Sequence, residues 1–259
     1  MRIATWNLAG IKARIPVLER WLREHSPDIV VLQETKVVDD GFPRLEFEAL
    51  GYNVEVHGQK SWNGVAILSK LKFDEVHRGL PGDDADEHAR LIEGVFSVQQ
   101  GVVRVCGIYL PNGNPIGTEK FTYKLAWMDR LHTFVEERLK FEEPFVLLGD
   151  FNIIPMPRDA TFPEKWTRDA LYQPESRARW RALCNLGMTD AQRAVSDEPG
   201  LTFYDFKTFG WERQEGIRID HILCSPQAAD RLQAVRVHKD VRGWEKPSDH
   251  VPVEATFAF

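Results

Sequence analysis

The stretch that decides the fold is Phe145-Val146-Leu147-Leu148-Gly149-Asp150-Phe151-Asn152. A short apolar run of this kind predicts a strand buried on both faces, with Gly149 ending the run. Because side chains alternate along a strand, Asp150 and Asn152 are expected on one face at its carboxyl end. Such a pair can polarise a water molecule and hold a phosphate oxygen, or it can cap a turn. Taken alone, the turn is the better interpretation.

Other predicted strands also end in polar side chains. Ile3–Asn7 ends in an amide, and Ile29–Glu34 ends in a carboxylate. A helix over Ile15–His25, with Pro16 in its first turn, is predicted to join them. Singly, the amide is most simply a turn former and the carboxylate a solvated strand end. Their repetition along the chain is what favours a shared site.

The middle of the chain predicts a hairpin and a long helix. The hairpin joins Leu91–Val98 to Val102–Leu110, and it brings Tyr109 to the end of the second strand. A tyrosine in a strand usually packs in the core, so its hydroxyl matters only if it lies with the other polar strand ends. Apolar residues recur every three or four positions over Thr118–Glu143, which predicts a helix packed on a sheet.

The region 158–218 is electrically neutral, with ten Lys or Arg and ten Asp or Glu. Its helix over Ser176–Leu186 carries several arginines, and the loop Thr202–Trp211 interleaves aromatic residues with a lysine. Such a loop suits stacking on bases or filling a sugar-sized gap. The charge pattern is a weak signal, because a solvated helix face looks the same. On composition alone, a packed loop is the better interpretation of the aromatic segment.

Two acidic residues and a histidine follow near the carboxyl terminus. Ile217–Leu223 alternates as a strand that contains Asp220, while Asp249 and His250 precede the final strand. A lone histidine is usually structural. A histidine beside one carboxylate, with a second on a neighbouring strand, is a candidate acid, base or electrostatic group.

Composition restricts the class of protein. The 259 residues show no linker, so one domain over residues 1–259 is predicted. The 33 Lys and Arg against 39 Asp and Glu give a net charge of −6, which argues against a wholly polyanion-binding surface. The three cysteines are widely spaced, which favours reduced thiols in a cytoplasmic protein. No run is long enough to cross a bilayer, so no membrane partner is expected.

The polar strand ends share a preference for one kind of ligand. Oxygen donors predominate among them, and no Cys/His cluster competes, so a hard divalent cation such as Mg²⁺ or Mn²⁺ is expected. Such an ion, with carboxylates and a histidine, supplies what water attack on a phosphodiester needs. The polar strand ends are Asn7, Glu34, Tyr109, Asp150, Asn152, Asp220, Asp249 and His250.

A series of short motifs runs in order along essentially the whole chain. The motifs are Thr5-Trp6-Asn7, Leu32-Gln33-Glu34-Thr35-Lys36, Asn63-Gly64-Val65-Ala66-Ile67, Tyr109-Leu110-Pro111-Asn112-Gly113, Gly149-Asp150-Phe151-Asn152, Arg218-Ile219-Asp220-His221 and Ser248-Asp249-His250. In this order they resemble the motif series of the exodeoxyribonuclease III family, which belongs to the endonuclease/exonuclease/phosphatase superfamily. Each motif alone is a weak signal, but the ordered series is strong.

That resemblance implies an α/β fold, namely a four-layer α/β sandwich in which two mixed β-sheets pack face to face with helices on the outside. It also implies a Mg²⁺-dependent enzyme that releases nucleotides from the 3′ ends of duplex DNA and incises DNA 5′ to abasic sites. Double-stranded DNA with abasic sites or 3′ ends is therefore the expected partner, and a monomer is the expected state.

The resemblance also assigns ligands to the expected metal. It implies that Glu34 is the principal metal ligand, with Asn7 and Asp249 close by. If a second ion binds, Asp150 and Asn152 are its expected ligands.

Further residues receive catalytic roles from the same resemblance. Asp150 is expected to orient and activate the attacking water, while Asn152 and Tyr109 contact the phosphate. His250, held by Asp220, is expected to stabilise the pentacovalent phosphorus.

The resemblance is weakest in the aromatic loop. Phe203 falls where the family places an aromatic residue at the abasic-sugar pocket, and Trp211 lies on the same loop. Relatives often have an aromatic residue followed by Trp-Asp-Tyr, whereas this chain has Phe203-Tyr204-Asp205-Phe206, and Phe209-Gly210 replaces smaller residues ahead of Trp211. These departures concern the shape of the pocket and the balance of exonuclease to abasic-site activity.

Two other functions are compatible with parts of the pattern. The first is a phosphatase or phosphodiesterase of the same fold that acts on inositol phosphates or lipids. The second is a binding module without catalysis. The aromatic loop and the arginine-bearing helix favour DNA over the first alternative, and the complete polar set argues against the second.

Overall fold

Twelve strands form two mixed six-stranded sheets, and the computed structural model describes residues 1–259. The first sheet has the order β11-β12-β1-β2-β4-β3, and β1 and β2 are its parallel pair. Its strands are β1 (Arg2–Asn7), β2 (Ile29–Gln33), β3 (Asn53–His57), β4 (Val65–Ser69), β11 (Leu232–Val237) and β12 (Val253–Phe257).

The second sheet has the order β5-β6-β7-β8-β10-β9, with β7 parallel to β8. It includes the predicted hairpin and also a short edge strand, β5, that the sequence patterns did not indicate. Its strands are β5 (Glu75–Arg78), β6 (Leu91–Val98), β7 (Gly101–Tyr109), β8 (Phe145–Asp150), β9 (Thr189–Asp190) and β10 (Asp220–Cys224).

Helices cover the outer faces of both sheets. The longest, α3, contains 21 residues, and no helix combines the length and apolar character needed to cross a membrane. The helices are α1 (Ile11–His25), α2 (Arg44–Glu48), α3 (Glu119–Leu139), α4 (Pro174–Asn185), α5 (Ala191–Val195) and α6 (Pro226–Ala229), with short 3₁₀ turns over 39–41, 157–159, 163–166 and 239–243.

Three apolar layers hold the elements together, which confirms the predicted α/β sandwich. Trp6 of β1 and Trp21 of α1 belong to the layer on the outer face of the first sheet. Val31 and Val146 lie in the layer between the two sheets, where apolar side chains of both inner faces interdigitate. Trp127 of α3 belongs to the layer outside the second sheet. Burial on both sides explains why the central strands read as continuous apolar runs.

Gly149 ends the apolar run of β8, and the strand continues through it to Asp150. A Cβ atom at Gly149 would lie 2.0 Å from the carbonyl oxygen of Ile108 on the neighbouring strand. The φ of Gly149 is 150°, a conformation that other residues rarely adopt. The glycine therefore permits the close approach of β7 and β8 just before their polar ends.

The first helix also differs from the prediction. It begins at Ile11, so Pro16 lies inside the helix rather than in its first turn. Proline removes one backbone donor, so the helix forgoes the bond to the carbonyl of Lys12. The buried side chains Leu18, Trp21 and Leu22 stabilise the helix on the first sheet in spite of that loss.

A buried histidine follows β11 at the edge of the first sheet. The ring of His238 lies 4.4 Å from that of His25 and 5.4 Å from that of Trp21. It is 1% exposed, and neither of its ring nitrogens has a hydrogen-bond partner. Burial, together with the positive charges of His25 and Arg236, lowers the pKa of His238 to about 3.

This histidine predicts a loss of stability in mild acid. An unfolded histidine takes up a proton near pH 6.5, whereas folded His238 stays neutral until about pH 3. Above about pH 6.5 the histidine is neutral in both states, and the free energy of unfolding keeps its full value. By pH 5 the unfolded state has taken up the proton, and the free energy of unfolding is lower by about 2 kcal/mol. In urea unfolding at pH 7.5 and pH 5, His238→Phe should lose less stability than the parent protein. Equal losses in the two proteins would contradict this prediction.

Candidate active site

The polar strand ends converge at one edge shared by the two sheets. In the second sheet, Asp150 pairs in register with Tyr109 of β7 and with Asp220 of β10. The end of β1 brings Asn7 to the same place. Beside these ends lies a cavity of about 480 Å³, which Tyr109 and Asp150 line, whereas Asn7 and Asp220 lie behind its lining. Its lining consists of Glu34, Tyr109, Asn112, Asp150, Asn152, Trp166, Asp169, Leu171, Phe203, Asp205, Lys207, Ile219, Asp249 and His250.

Two site residues take an unusual backbone conformation just after a strand. Glu34 follows β2 with a φ of 52°, and Asn152 follows β8 with a φ of 47°. This left-handed region is uncommon for residues other than glycine and often occurs at functional sites. Neither residue therefore simply continues the alternation of its strand, which is why the expected shared strand face of Asp150 and Asn152 is replaced by a turn.

Asn7 links the carboxylates contributed by the two sheets. Its side-chain nitrogen donates to Glu34 Oε1 and to Asp150 Oδ2, each at 2.9 Å. Its side-chain oxygen accepts the backbone N–H of Ala9 at 2.9 Å. The amide is thus oriented as a donor toward both acids. The predicted role of Asn7 as a metal ligand stays a prediction.

A histidine lies between two buried carboxylates. His250 Nδ1 and Asp220 Oδ2 are 2.8 Å apart, and His250 Nε2 lies 3.8 Å from Asp150 Oδ2. Asp150 Oδ1 accepts the backbone N–H of Asn152 at 2.9 Å. These contacts fix the imidazole ring between the two acids and leave Nε2 directed toward Asp150.

The electrostatic setting changes the proton affinities of this group. Burial raises the pKa of the Asp150 carboxyl, and the nearby negative charge of Asp220 raises it further. Burial lowers the pKa of His250, but Asp220 and Asp150 outweigh that effect and leave the pKa raised. His250 is therefore a cation near neutral pH, and Asp150 is a stronger base than an exposed carboxylate.

The pKa values of Glu34 and Tyr109 are shifted in opposite directions. Burial raises the pKa of Glu34, but hydrogen bonds from Lys36 and Asn7 outweigh it and lower the pKa overall. The Lys36 ammonium lies 2.7 Å from Glu34 Oε2. Burial and the charges of Glu34 and Asp150 raise the pKa of Tyr109 well above its usual value. Glu34 is thus ionised, while Tyr109 keeps its phenolic proton and can donate it in a hydrogen bond.

Asn152 is fixed by contacts with the segment that follows β7. Its Nδ2 donates to the Leu110 carbonyl at 2.9 Å, and its Oδ1 accepts from Asn112 at 3.2 Å.

Sequence reasoning missed Asn112 as a site residue, although it belongs to the Tyr109–Gly113 motif. It also missed Lys124, which lies under the cavity, because a lysine in an amphipathic helix is typically solvated.

The two aromatic residues predicted for a sugar pocket have different positions. The Phe203 ring lies 4.9 Å from the His250 ring and lines the cavity. Trp211 instead packs edge-on against Tyr204 at 5.1 Å and is absent from the lining. Trp166, which no sequence pattern singled out, also lines the cavity. An irregular loop has no periodicity from which the direction of a side chain can be inferred.

The arginines of α4 are less available to a polyanion than the sequence suggested. Arg179 pairs with Asp129 at 2.8 Å. Arg177 donates to the Pro155 carbonyl at 3.0 Å and covers the Tyr172 ring. These side chains hold α4 against its neighbours, and Lys207 is the lysine that lines the cavity.

The donor set of the cavity fits a hard divalent cation. Glu34, Asp150, Asn152 and Asp249 line it and carry carboxylate or amide oxygens, and no cysteine lines it. Candidate ligand atoms of Asp150, Asp220 and His250 also lie within 4.8 Å of one another. In that second group, Nδ1 of the histidine is engaged with Asp220, so the oxygen set containing Glu34 is the better match.

Two packed mixed sheets, with an acidic, histidine-containing cavity at their shared edge, define the α/β-sandwich class that the sequence resemblance implied. The family model described as the endonuclease/exonuclease/phosphatase family matches residues 4–250. Exodeoxyribonuclease III of Haemophilus influenzae is 34% identical, and the alignment covers 99% of this chain and 100% of that protein. The chain therefore belongs to the exodeoxyribonuclease III family within this larger family.

Solved structures agree with this assignment. The 3′ phosphatase NExo from Neisseria, bound to a product DNA hairpin, is 39% identical with a TM-score of 0.95. An AP endonuclease from Archaeoglobus fulgidus is 36% identical with a TM-score of 0.94. In both comparisons the match covers 100% of each chain. The similarity therefore extends over all the strands that form the site.

Proposed function

We propose that the protein is a DNA repair phosphodiesterase. It acts as a 3′–5′ exodeoxyribonuclease on duplex DNA, with apurinic/apyrimidinic endonuclease and 3′-end-trimming activity. The observation that carries this proposal is a cluster in which Asn7 bonds both Glu34 and Asp150, and His250 lies beside Asp150. The cluster brings a base, Asp150, and the positively charged ring of His250 to one cavity. Family membership supplies the substrate class, because the relatives named above process DNA.

The side chains divide the chemistry of hydrolysis between them. Asp150 Oδ2 orients a water molecule and accepts its proton as the oxygen attacks phosphorus. As the new P–O bond forms, the bond from phosphorus to the leaving oxygen breaks, and that oxygen takes up a proton from solvent. The charged His250 imidazole, held by Asp220, stabilises negative charge on the pentacovalent phosphorus. Tyr109 and Asn152 donate hydrogen bonds to phosphate oxygens. Asn7 keeps the two acids at a fixed separation, so these groups need little rearrangement during the reaction.

Glu34 is proposed as the principal ligand of a Mg²⁺ ion, with Mn²⁺ as a substitute, and Asp249 lies in the same lining. When bound, the ion supplies positive charge that stabilises the phosphate and the leaving oxygen. The Lys36 ammonium lies 2.7 Å from Glu34 and offsets part of the negative charge that would hold the ion. Asp150 and Asn152 are the residues that would hold a second ion.

We further propose that residues 1–259 act as one domain and as a monomer in the cytoplasm. The competing function is a phosphatase of the same fold that acts on inositol phosphates or lipids. The aromatic lining from Phe203 and Trp166 favours DNA, because flat rings suit bases and deoxyribose better than a densely charged inositol phosphate.

The deciding experiment compares substrates under one set of conditions. Blunt, 3′-recessed and abasic duplexes are digested with and without Mg²⁺, and release of phosphate from inositol phosphates is measured in parallel. Cleavage of the duplexes that stops on chelation would support the proposal. Faster turnover of inositol phosphates than of any duplex would overturn it.

Phe203 predicts a change in the balance between the two DNA activities. Its ring lies against His250, where it can pack on a deoxyribose that lacks a base. Phe203→Ala should therefore reduce incision at abasic sites about 10-fold and 3′ digestion by no more than about 3-fold, because the lost packing is worth about 1 kcal/mol or more. Trp211→Ala is the matched control, since Trp211 lies on the same loop but packs on Tyr204. Equal losses of both activities in Phe203→Ala would contradict the assignment.

A further inference from the structure

A lysine is completely buried beneath the cavity. Lys124, on the amino-terminal half of α3, is 0% exposed. Its ammonium donates to the Pro111 carbonyl at 3.0 Å and to the Asn152 carbonyl at 2.7 Å. No carboxylate oxygen lies within 4.0 Å of it in residues 1–259. Lysines are almost never fully buried without a charged partner, so this position calls for a specific explanation.

The two carbonyls belong to the two segments that carry the phosphate-contacting residues. Pro111 follows β7, the strand that ends at Tyr109, and Asn152 follows β8, the strand that ends at Asp150. On the cavity side, the segments are joined by the bond from Asn112 to Asn152. Lys124 joins them again from the buried side. The ammonium is therefore a second, internal link between the two halves of the phosphate site.

Gly113, two residues after Pro111, leaves room for the side chain of Lys124. Gly113 has a φ of 86°, and a Cβ atom placed on it would lie 2.5 Å from Lys124 Cδ. A side chain at position 113 would displace the lysine stem from its channel. The same motif thus provides the turn at Gly113 and the space for the stem of Lys124.

We propose that Lys124 is a positioning residue for phosphodiester hydrolysis: its ammonium holds the segments after β7 and β8 in the register that aims Asp150 and Tyr109 at one phosphate. This inference rests on the function proposed above. Lys124 lies under the cavity and does not line it, so it acts through the backbone of Pro111 and Asn152.

The direct test is Lys124→Met, which keeps the length of the side chain and removes its donors. Two buried carbonyls then lose their partner, and the segments that carry them can shift relative to each other. Because misplacement of catalytic groups by about 1 Å can cost about 100-fold in rate, we expect kcat to fall by about 30- to 100-fold. The KM for DNA should change by less than about 3-fold, because the groups at the DNA-facing surface are retained.

A control on the same helix separates positioning from general destabilisation. Arg138, near the other end of α3, bonds the buried carboxylate of Glu93 at 2.8 Å. Arg138→Met removes the cation of an ion pair with a buried carboxylate, so it destabilises the fold without changing the contacts of Lys124. Its melting temperature should fall, while its kcat, measured well below that temperature, should stay within about 2-fold of the parent value.

Gly113→Ala provides a second variant that does not depend on the folding of Lys124→Met. It pushes on the lysine stem and leaves every donor in place, and we expect the same loss of kcat with an unchanged KM. The inference is supported if a folded Lys124→Met protein loses kcat while Arg138→Met does not. If Lys124→Met does not fold, Gly113→Ala decides: loss of kcat there, with Arg138→Met unaffected, supports the inference, and the parent kcat in Gly113→Ala overturns it. It is overturned if a folded Lys124→Met protein keeps the parent kcat, or if Arg138→Met at equal loss of stability shows an equal loss of kcat. Failure of the parent protein itself to cleave DNA would instead contradict the proposed function.

Discussion

Asp150→Asn is expected to reduce kcat on abasic and 3′-recessed duplexes by about 10²- to 10⁴-fold, the range that general base catalysis contributes. Asp150 is the buried carboxylate that accepts from Asn7 and lies 3.8 Å from the His250 ring. An amide cannot accept the proton of the attacking water. It would also turn an N–H group toward the Asn7 nitrogen, so part of the loss reflects a disturbed link to Glu34.

The binding of DNA distinguishes this effect from damage to the fold. Removing a negative charge from an acidic cavity should leave the Kd for DNA unchanged or lower it, because repulsion of the phosphates decreases. Glu93→Gln is a suitable control, since Glu93 is also fully buried but pairs with Arg138 on another part of the second sheet. Retention of more than about a tenth of the parent kcat in Asp150→Asn would exclude Asp150 as the base.

Glu34→Gln is expected to act mainly on the metal requirement. The residue keeps its shape and its bond from Asn7, but it loses the charge that would hold a divalent cation and that pairs with Lys36. The Mg²⁺ concentration for half-maximal activity should rise by at least about 30-fold, and kcat at saturating Mg²⁺ should fall by about 100-fold, since even outer-shell changes cost 10- to 100-fold.

Titration of activity with Mg²⁺ checks this prediction, and the affinity for DNA in the absence of metal serves as the reference. Glu55→Gln is the matched control, because Glu55 lies on the edge strand β3 and forms its ion pair with Arg78 of β5, away from the polar strand ends. Parallel Mg²⁺ titrations for Glu34→Gln and the parent protein would remove Glu34 from the metal site.

The strand ends that form the site could be predicted because they obey simple rules. Buried strands appear as apolar runs, and the polar residue that ends each run is visible in the sequence. The parallel pairs β1–β2 and β7–β8 then bring Asn7 with Glu34, and Tyr109 with Asp150, to the same edge. The meeting of the two sheets at that edge was implied only by the family resemblance.

Features that depend on packing could not be predicted from the pattern. Lys124 looks like a solvated residue of an amphipathic helix, and only the fold shows that the helix lies over the loops following β7 and β8. Trp211 and Trp166 lie in irregular segments, where no period gives the direction of a side chain. Pro16 suits a first helical turn by propensity, but the packing of α1 on the first sheet extends the helix past it.

The central claim is that oxygen atoms from distant strand ends hold one cation beside the scissile phosphate. Crystals of the protein soaked with Mn²⁺ and measured near the manganese absorption edge test it most directly. The account predicts an anomalous peak in the cavity, bonded to Glu34 and on the same side as Asp150 and His250. A protein that cleaves DNA with Mn²⁺ but shows no peak there, or a peak whose ligands exclude Glu34, would contradict it.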